Sequence, residues 1–259
     1  MNTVTEQPQR PVVVVTGAGS GIGRAVTRQL LAAGYRVALA GRRLAPLEDT
    51  AGDAALAEGS ALCVVTDVSR PDDVGRLFDL VTDHWERVDV LFNNAGSFGP
   101  TVPVEDIGLA EWEQTVGVNQ TGALLCAAAA FRVMKAQQPH GGRIINNGSI
   151  SSQSPRPHAA AYAMTKHAVA ALTKSLELEG RRYGITAGQI DIGNAATGMM
   201  SSVGAMEGAL QADGRRLTEP TFDVAHAASA VVFMAGLPAS VTVNQLTMTA
   251  AGMPFQGRG

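Results

Sequence analysis

Short apolar, β-branched runs alternate with longer segments of helical periodicity along the whole chain. The runs are PVVVVTG (11–17), YRVALAG (35–41), ALCVVTD (61–67), VDVLFNNAG (88–96), GRIINNGS (142–149), GITAGQI (184–190) and VTVNQLTM (241–248). Strands separated by helix-sized segments call for a parallel sheet with right-handed crossovers. Near-continuous hydrophobicity in the first two runs fits burial on both faces. The pattern predicts an α/β fold, a doubly wound, seven-stranded parallel sheet with helices on both faces.

The intervening segments support this. IGRAVTRQLLAAG (22–34) sets Ile22, Val26, Leu30 and Ala33 on one face and stops at Gly34, a capping residue. Pro71, followed by Asp72 and Asp73, opens another helix, since proline and acids suit a first turn. A long helix is expected from about Leu109 to Gln138, starting in acidic sequence, and a further one over 158–183. No Pro-, Gly- or Ser-rich linker divides the chain and no repeat is evident, so 1–259 reads as one domain. Residues 1–10 read as flexible, and 198–216, the least regular stretch, as a flap over the substrate.

Composition narrows the function classes. With 259 residues and 46% hydrophobic content the chain can build a large core. A net charge of −3 offers no basic stripe for nucleic acid or an anionic membrane. The start is polar rather than a signal peptide, and no apolar run is long enough to span a bilayer, so a cytoplasmic protein is expected. Cys63 and Cys126 stand apart in apolar surroundings as structural thiols. The five histidines form no ligating group, so no metal is expected, and His158 alone falls near the anticipated pocket.

VVVVTGAGSGIGRAV is a strand, a glycine-dense turn and a helix start. Its spacing, Gly17-xxx-Gly21-x-Gly23, differs from GxGxxG, but the physical logic carries over. Glycines allow positive φ and close backbone approach to a pyrophosphate, which then meets the orphan N–H groups of the next helix. Ser20 and Ile22 belong to the same turn. After the second strand, where a carboxylate often holds ribose hydroxyls, the chain reads Gly41, Arg42, Arg43. Guanidinium groups can take a 2′-phosphate and no acid repels it, which favours NADP(H) over NAD(H).

The chain has three tyrosines and three lysines, yet one of each stands four residues apart in AAAYAMTKHA, as Tyr162 and Lys166. At i and i+4 they share a helix face. A free phenol is a poor base at neutral pH, and a nearby cation stabilises its phenolate. The pair therefore suits proton transfer to and from a hydroxyl.

TGAGSGIG (16–23), NNAG (93–96), Asn119 in VGVNQTG, IINNGSIS (144–151) and YAMTK (162–166) occur together in order. From about residue 12 to 197 the chain resembles the single-domain branch of the short-chain dehydrogenase/reductase family, which implies a Rossmann-like fold. The resemblance implies Tyr162 as general acid/base, Ser149 as hydrogen-bond partner of the substrate oxygen, and Lys166 as holder of the nicotinamide ribose that lowers the tyrosine pKa. Asn119 would support a water in proton exchange with solvent. Asp67 and Val68 would contact adenine, and Asn93, Asn94, Ala95 and Gly96 would line the adenosine side.

The chain also departs from the family. Where a Pro-Gly pair is usual it has Ile192 and Gly193, keeping Thr197 four residues on as a contact to the carboxamide. Proline's rigid turn is lost. Asp191 sits at a strand end near the expected nicotinamide, either capping the next segment or meeting a polar substrate. The tail lacks the Asp-Gly-Gly common after the last strand.

These readings converge on an oxidoreductase moving a hydride between NADP(H) and a secondary alcohol or ketone. The alternatives are an NAD(H)-preferring enzyme of the same type and an inactive dinucleotide sensor. Met199, Met200 and Met206, with Phe98 and Val102, suggest a partly apolar pocket for a small-molecule substrate. The resemblance implies a homo-oligomer, tetramer or dimer, and the alanines of the long helices would permit close packing.

Overall fold

The computed structural model describes residues 10–198 and 208–255. In chain order its elements are β1 (Val12–Thr16), α1 (Gly21–Ala32), β2 (Arg36–Gly41), α2 (Leu44–Ala51), α3 (Asp53–Ala57), β3 (Ala61–Val65), α4 (Pro71–Trp85), β4 (Val90–Asn93), α5 (Leu109–Val116), α6 (Gly122–Ala136), β5 (Gly142–Asn147), α7 (Ala160–Gly180), β6 (Ile185–Gly193), β7 (Ala209–Leu210), β8 (Arg216–Leu217), α8 (Val224–Gly236) and β9 (Gln245–Thr249). The seven apolar runs all become strands of one parallel sheet, in the order β3-β2-β1-β4-β5-β6-β9. Because β1 lies between β2 and β4, the chain winds outward in both directions from it. A crevice therefore opens over the carboxyl ends of the central strands.

The four valines of β1 show why this strand is central. All are fully buried, with Val12 and Val14 in one core and Val13 and Val15 in the other. One core packs α4, α6 and Leu176 of α7 against the sheet; the other packs α1, α2 and α8. In α1 the buried stripe is Gly23, Val26, Thr27 and Leu30, while Ala33, expected on that face, is exposed just past the helix end. Cys126 is fully buried and its thiol is pushed up to about 12; Cys63, partly buried, is pushed up to about 11. Both lack the thiolate character of a nucleophile.

One expectation needs correction. The single helix of 109–138 is interrupted by a π-helical turn, Gly117–Thr121, which carries Asn119. Such turns insert one residue into the helix and re-aim a side chain, an effect that an unbroken apolar pattern does not reveal. Within the expected flap, 199–207, including Met199, Met200 and Met206, lie outside the described residues. The remainder is regular: β7 and β8 pair antiparallel around a tight turn in which Gly214 has φ +82°. Of the expected flexible start, only Arg10 is described. Among the described residues no helix is long and apolar enough to cross a membrane.

Candidate active site

A cleft of about 480 Å³ runs over the carboxyl ends of β1, β2, β4, β5 and β6, within the size range of ligand sites. At one end the backbone does the shaping. Gly17 has φ +67° and Gly21 φ +50°, both left-handed values that a side chain would strain. Gly23 serves a different purpose, since a Cβ there would fall 2.2 Å from the Gly17 carbonyl oxygen. It lies behind the cleft and lets α1 close against the turn. Ser20 is the N-cap of α1 in extended conformation and makes no side-chain capping bond, so the first N–H groups of α1 face the cleft without competition.

Thr16 joins this turn to the next. Its hydroxyl accepts the Asn94 and Ala95 N–H groups at 2.8 and 2.9 Å, and Asn94 Nδ2 donates to the Thr16 carbonyl at 2.8 Å. Asn94, Ala95 and Gly96 thus line the cleft with Gly17, Ser20, Gly21 and Ile22. Asn93, expected beside them, turns into the sheet and donates to Asn146 Oδ1 and the Ala123 carbonyl. Arg42 and Arg43 are exposed at the rim, and Asp67 and Val68 complete that end. Asp67 Oδ1 accepts both N–H and O–H of Ser69, at 3.0 and 2.7 Å. The Ser69 hydroxyl, with help from its amide, Arg42 and Arg70, holds the carboxyl below its usual range against the opposing effect of burial.

At the other end side chains do the work. Ser149 ends the β5 segment and caps a short 3-10 turn, its hydroxyl accepting the Ser151 N–H at 3.1 Å. Tyr162 and Lys166 project from the first turns of α7, and all three line the cleft. Phe98 stacks on Tyr162, ring centroids 4.6 Å apart. The Lys166 ammonium donates to the Asn147 carbonyl at 2.7 Å and lies 5.5 Å from the Tyr162 ring centre. Burial pushes the Tyr162 phenol up, with hydrogen bonding to Ser149 and the charge of Arg156 opposing and Asp191 adding to the rise. Lys166 was expected to lower this pKa; in the protein alone burial is the largest influence on it. Burial also lowers Lys166 itself, to about 8, with Asp191 opposing.

Asn119 does not line the cleft. From the π-helical turn it braces the wall, with Oδ1 accepting the Ser97 N–H at 2.8 Å and Nδ2 donating to the Ser97 carbonyl at 2.7 Å and Thr165 Oγ1 at 3.1 Å. Gly193, Thr197 and Ile192 line the cleft, and Ile192 occupies the place expected of proline without breaking the path of β6. Val102 and His158 are not lining residues. Sequence reasoning missed Asn147, Gln114, Ser151, Ser154, Arg156 and Asn194 on the walls. Arg156 alone gave a usable signal, a charge isolated in the stretch QSPRPH. It pairs with Glu219 and donates to Asn194 Oδ1 at 2.7 Å.

A family model described as short chain dehydrogenase matches residues 11–208. The chain belongs to the short-chain dehydrogenase family. An uncharacterized oxidoreductase of Staphylococcus aureus (strain MRSA252) is 32% identical over 237 residues, 92% of this chain and 96% of that protein. Among solved structures, NAD+-bound xylitol dehydrogenase superposes with TM-score 0.83 at 27% identity, covering 93% of this chain and 99% of that one. Actinorhodin polyketide ketoreductase with NADPH gives TM-score 0.82 at 28% identity, covering 95% and 98%. As a short-chain dehydrogenase the protein is an NAD(P)-dependent oxidoreductase with a Rossmann-like fold. The two structural relatives carry different dinucleotides, so preference rests on this chain's own residues.

Proposed function

We propose that the protein interconverts a secondary alcohol and a ketone with NADP(H), Tyr162 acting as general acid/base. The observation that carries this reading is the convergence of Ser149, Tyr162 and Lys166 on one end of a cleft whose other end holds the glycine turn and two arginines. Gly17 and Gly21 leave space for a pyrophosphate at the α1 N-terminus, and Arg42 and Arg43 on the rim, able to take a 2′-phosphate, support NADP(H). When bound, the nicotinamide supplies or accepts the hydride.

The protein's own groups handle the proton. Ser149 orients the substrate oxygen by hydrogen bonding, Tyr162 gives a proton to it in reduction and removes one in oxidation, and Lys166 holds positive charge beside the phenolate. Asn119 keeps the Ser97 segment and α7 in place around them. The described walls offer Gln114, Ser151, Ser154 and Arg156 beside Phe98, which favours a substrate with polar groups as well as an apolar face. Exposed Leu109, Leu124, Met164 and Leu178 on α5, α6 and α7 support association into a homo-oligomer, which light scattering would test, a monomer being the adverse result. For the chemistry, a panel of carbonyl compounds followed by NADPH consumption should show turnover that Tyr162→Phe abolishes while NADPH still binds. Undiminished turnover in that variant would remove Tyr162 from the mechanism.

A further inference from the structure

β6 carries a carboxylate that the cleft does not see. Asp191 is 0% exposed and is not a lining residue. Oδ1 accepts the Ser149 backbone N–H at 2.9 Å and Gln189 Nε2 at 2.6 Å; Oδ2 accepts Gln245 Nε2 at 2.7 Å and Gln153 Nε2 at 3.2 Å. All four partners donate to it in this arrangement, three of them side-chain amides.

Two of the amides that hold it, Gln189 and Gln245, belong to a row across the sheet. Asn93, Asn146, Gln189 and Gln245 share one register line through β4, β5, β6 and β9, so their side chains leave the same face. Asn93 Nδ2 donates to Asn146 Oδ1 at 3.1 Å, Asn146 Nδ2 donates to Thr173 Oγ1 at 2.9 Å, and that hydroxyl lies 3.3 Å from Gln189 Oε1. Gly148 provides the room for the row to end at Asp191, because a Cβ there would fall 2.2 Å from Asp191 Oδ1 and 2.6 Å from Gln189 Nε2. Asn93, Asn146 and Gln189 are buried, Gln245 closes the row at the exposed edge strand, and buried polar networks hold their neighbours in one arrangement.

We propose that Asp191 is a positioning residue of the active site, clamping the Ser149 backbone through its carboxylate and setting, by its fixed charge, the field around Tyr162 and Lys166. This rests on the reading of Tyr162 as acid/base. The charge of Asp191 raises both the Tyr162 and the Lys166 pKa. The other groups facing Tyr162 are Lys166 on its own helix, Ser149 at the end of β5, and Arg156 from the loop before α7, itself paired with Glu219. Among the described residues, Asp191 is the anion whose charge raises the phenol pKa, so removing it lowers that pKa.

Two substitutions separate clamp from charge. Asp191→Asn keeps an acceptor for the Ser149 N–H, and the Gln153 or Gln245 amide can turn to meet the new donor. Asp191→Ala removes both. Tyrosinate absorbance is titrated in the full chain, with Tyr162→Phe subtracted to isolate one phenol; Asp191→Asn should move that titration to lower pH. With a reduced carbonyl from the panel, Asp191→Ala should lose on the order of tenfold in kcat, the scale of one lost hydrogen bond, while its Kd for NADPH stays within about twofold. A titration unmoved in Asp191→Asn overturns the proposal, as does an unchanged kcat in Asp191→Ala. If Asp191→Ala does not fold, the titration decides alone. Full turnover in Tyr162→Phe would instead strike the underlying reading and leave the titration result intact.

Discussion

The two ends of the cleft are built from different materials. At the end with the glycine turn the surface is mostly backbone, shaped by Gly17 and Gly21, and its charged side chains, Arg42 and Arg43, are exposed. At the other end side chains do the work: Tyr162 is partly exposed to the cleft, Lys166 and Ser149 are each 5% exposed, and Asn119 and Asp191, which brace them from behind, are 2% and 0% exposed. The first end should be intolerant of added atoms and forgiving of lost ones; the second should be intolerant of lost ones. A buried polar group that loses its partner bears the full cost of desolvation, whereas an exposed one turns to water.

The contrast breaks first at Lys166. Replacing it by Met keeps the packing of the stem but removes the cation and leaves the Asn147 carbonyl without its 2.7 Å donor. A fall in kcat of about 10²-fold or more is expected, the scale of lost acid–base assistance, measured with a carbonyl substrate at saturating NADPH. A variant with near wild-type kcat would mean that buried side chains at this end do not carry the chemistry.

At the backbone-built end the corresponding change is Gly23→Ala. The new methyl would meet the Gly17 oxygen at 2.2 Å and Asn94 Nδ2 at 2.7 Å. Overpacking of this kind costs about 1–3 kcal/mol, so thermal unfolding should move down by several degrees and NADPH affinity should fall with it. Unaltered melting would show that the turn can yield. Arg42→Asp is milder, because an exposed guanidinium supports little of the fold. It should shift the ratio of kcat/KM for NADPH over NADH by roughly 10- to 100-fold toward NADH, the range for a hydrogen bond to a charged group. No shift would remove Arg42 as the reader of the 2′-phosphate.

The same division explains what could be seen in the sequence. Seven strands and the glycine turn were visible because each is local: four valines in a row, or four glycines in seven residues, act on their immediate neighbours. Tyr162 and Lys166 were visible because one helical turn separates them. Asp191 was visible as an anomaly but not as a partner of Ser149, 42 residues away, because that contact depends on strand register. The amide row was invisible for the same reason: its four members come from strands spread over 93–245 and align only once the sheet forms. Asn93 shows the converse error. Its motif suggested the cleft, but alternation along β4 sends it into the sheet and leaves Asn94 to face the cleft.

Asp67 gives the smallest effect and the finest test of the comparison, for it is a carboxylate at the exposed end that makes the same type of bond as Asp191 makes at the buried one. Its carboxyl is held below the usual range chiefly by the Ser69 hydroxyl, with Arg42 and Arg70 contributing. A carboxylate whose pKa is lower folded than unfolded adds stability above its unfolded value, about 3.9, and loses it as pH falls through the folded value. Asp67→Asn should therefore lower stability at neutral pH by less than about 1 kcal/mol, since solvent screens a group so open. The difference between variant and wild type should narrow as the pH drops below about 4. Denaturant unfolding at neutral and acid pH measures this. A loss of several kcal/mol, or one that does not narrow in acid, would mean that Asp67 belongs with the buried network and that the boundary between the two ends lies elsewhere.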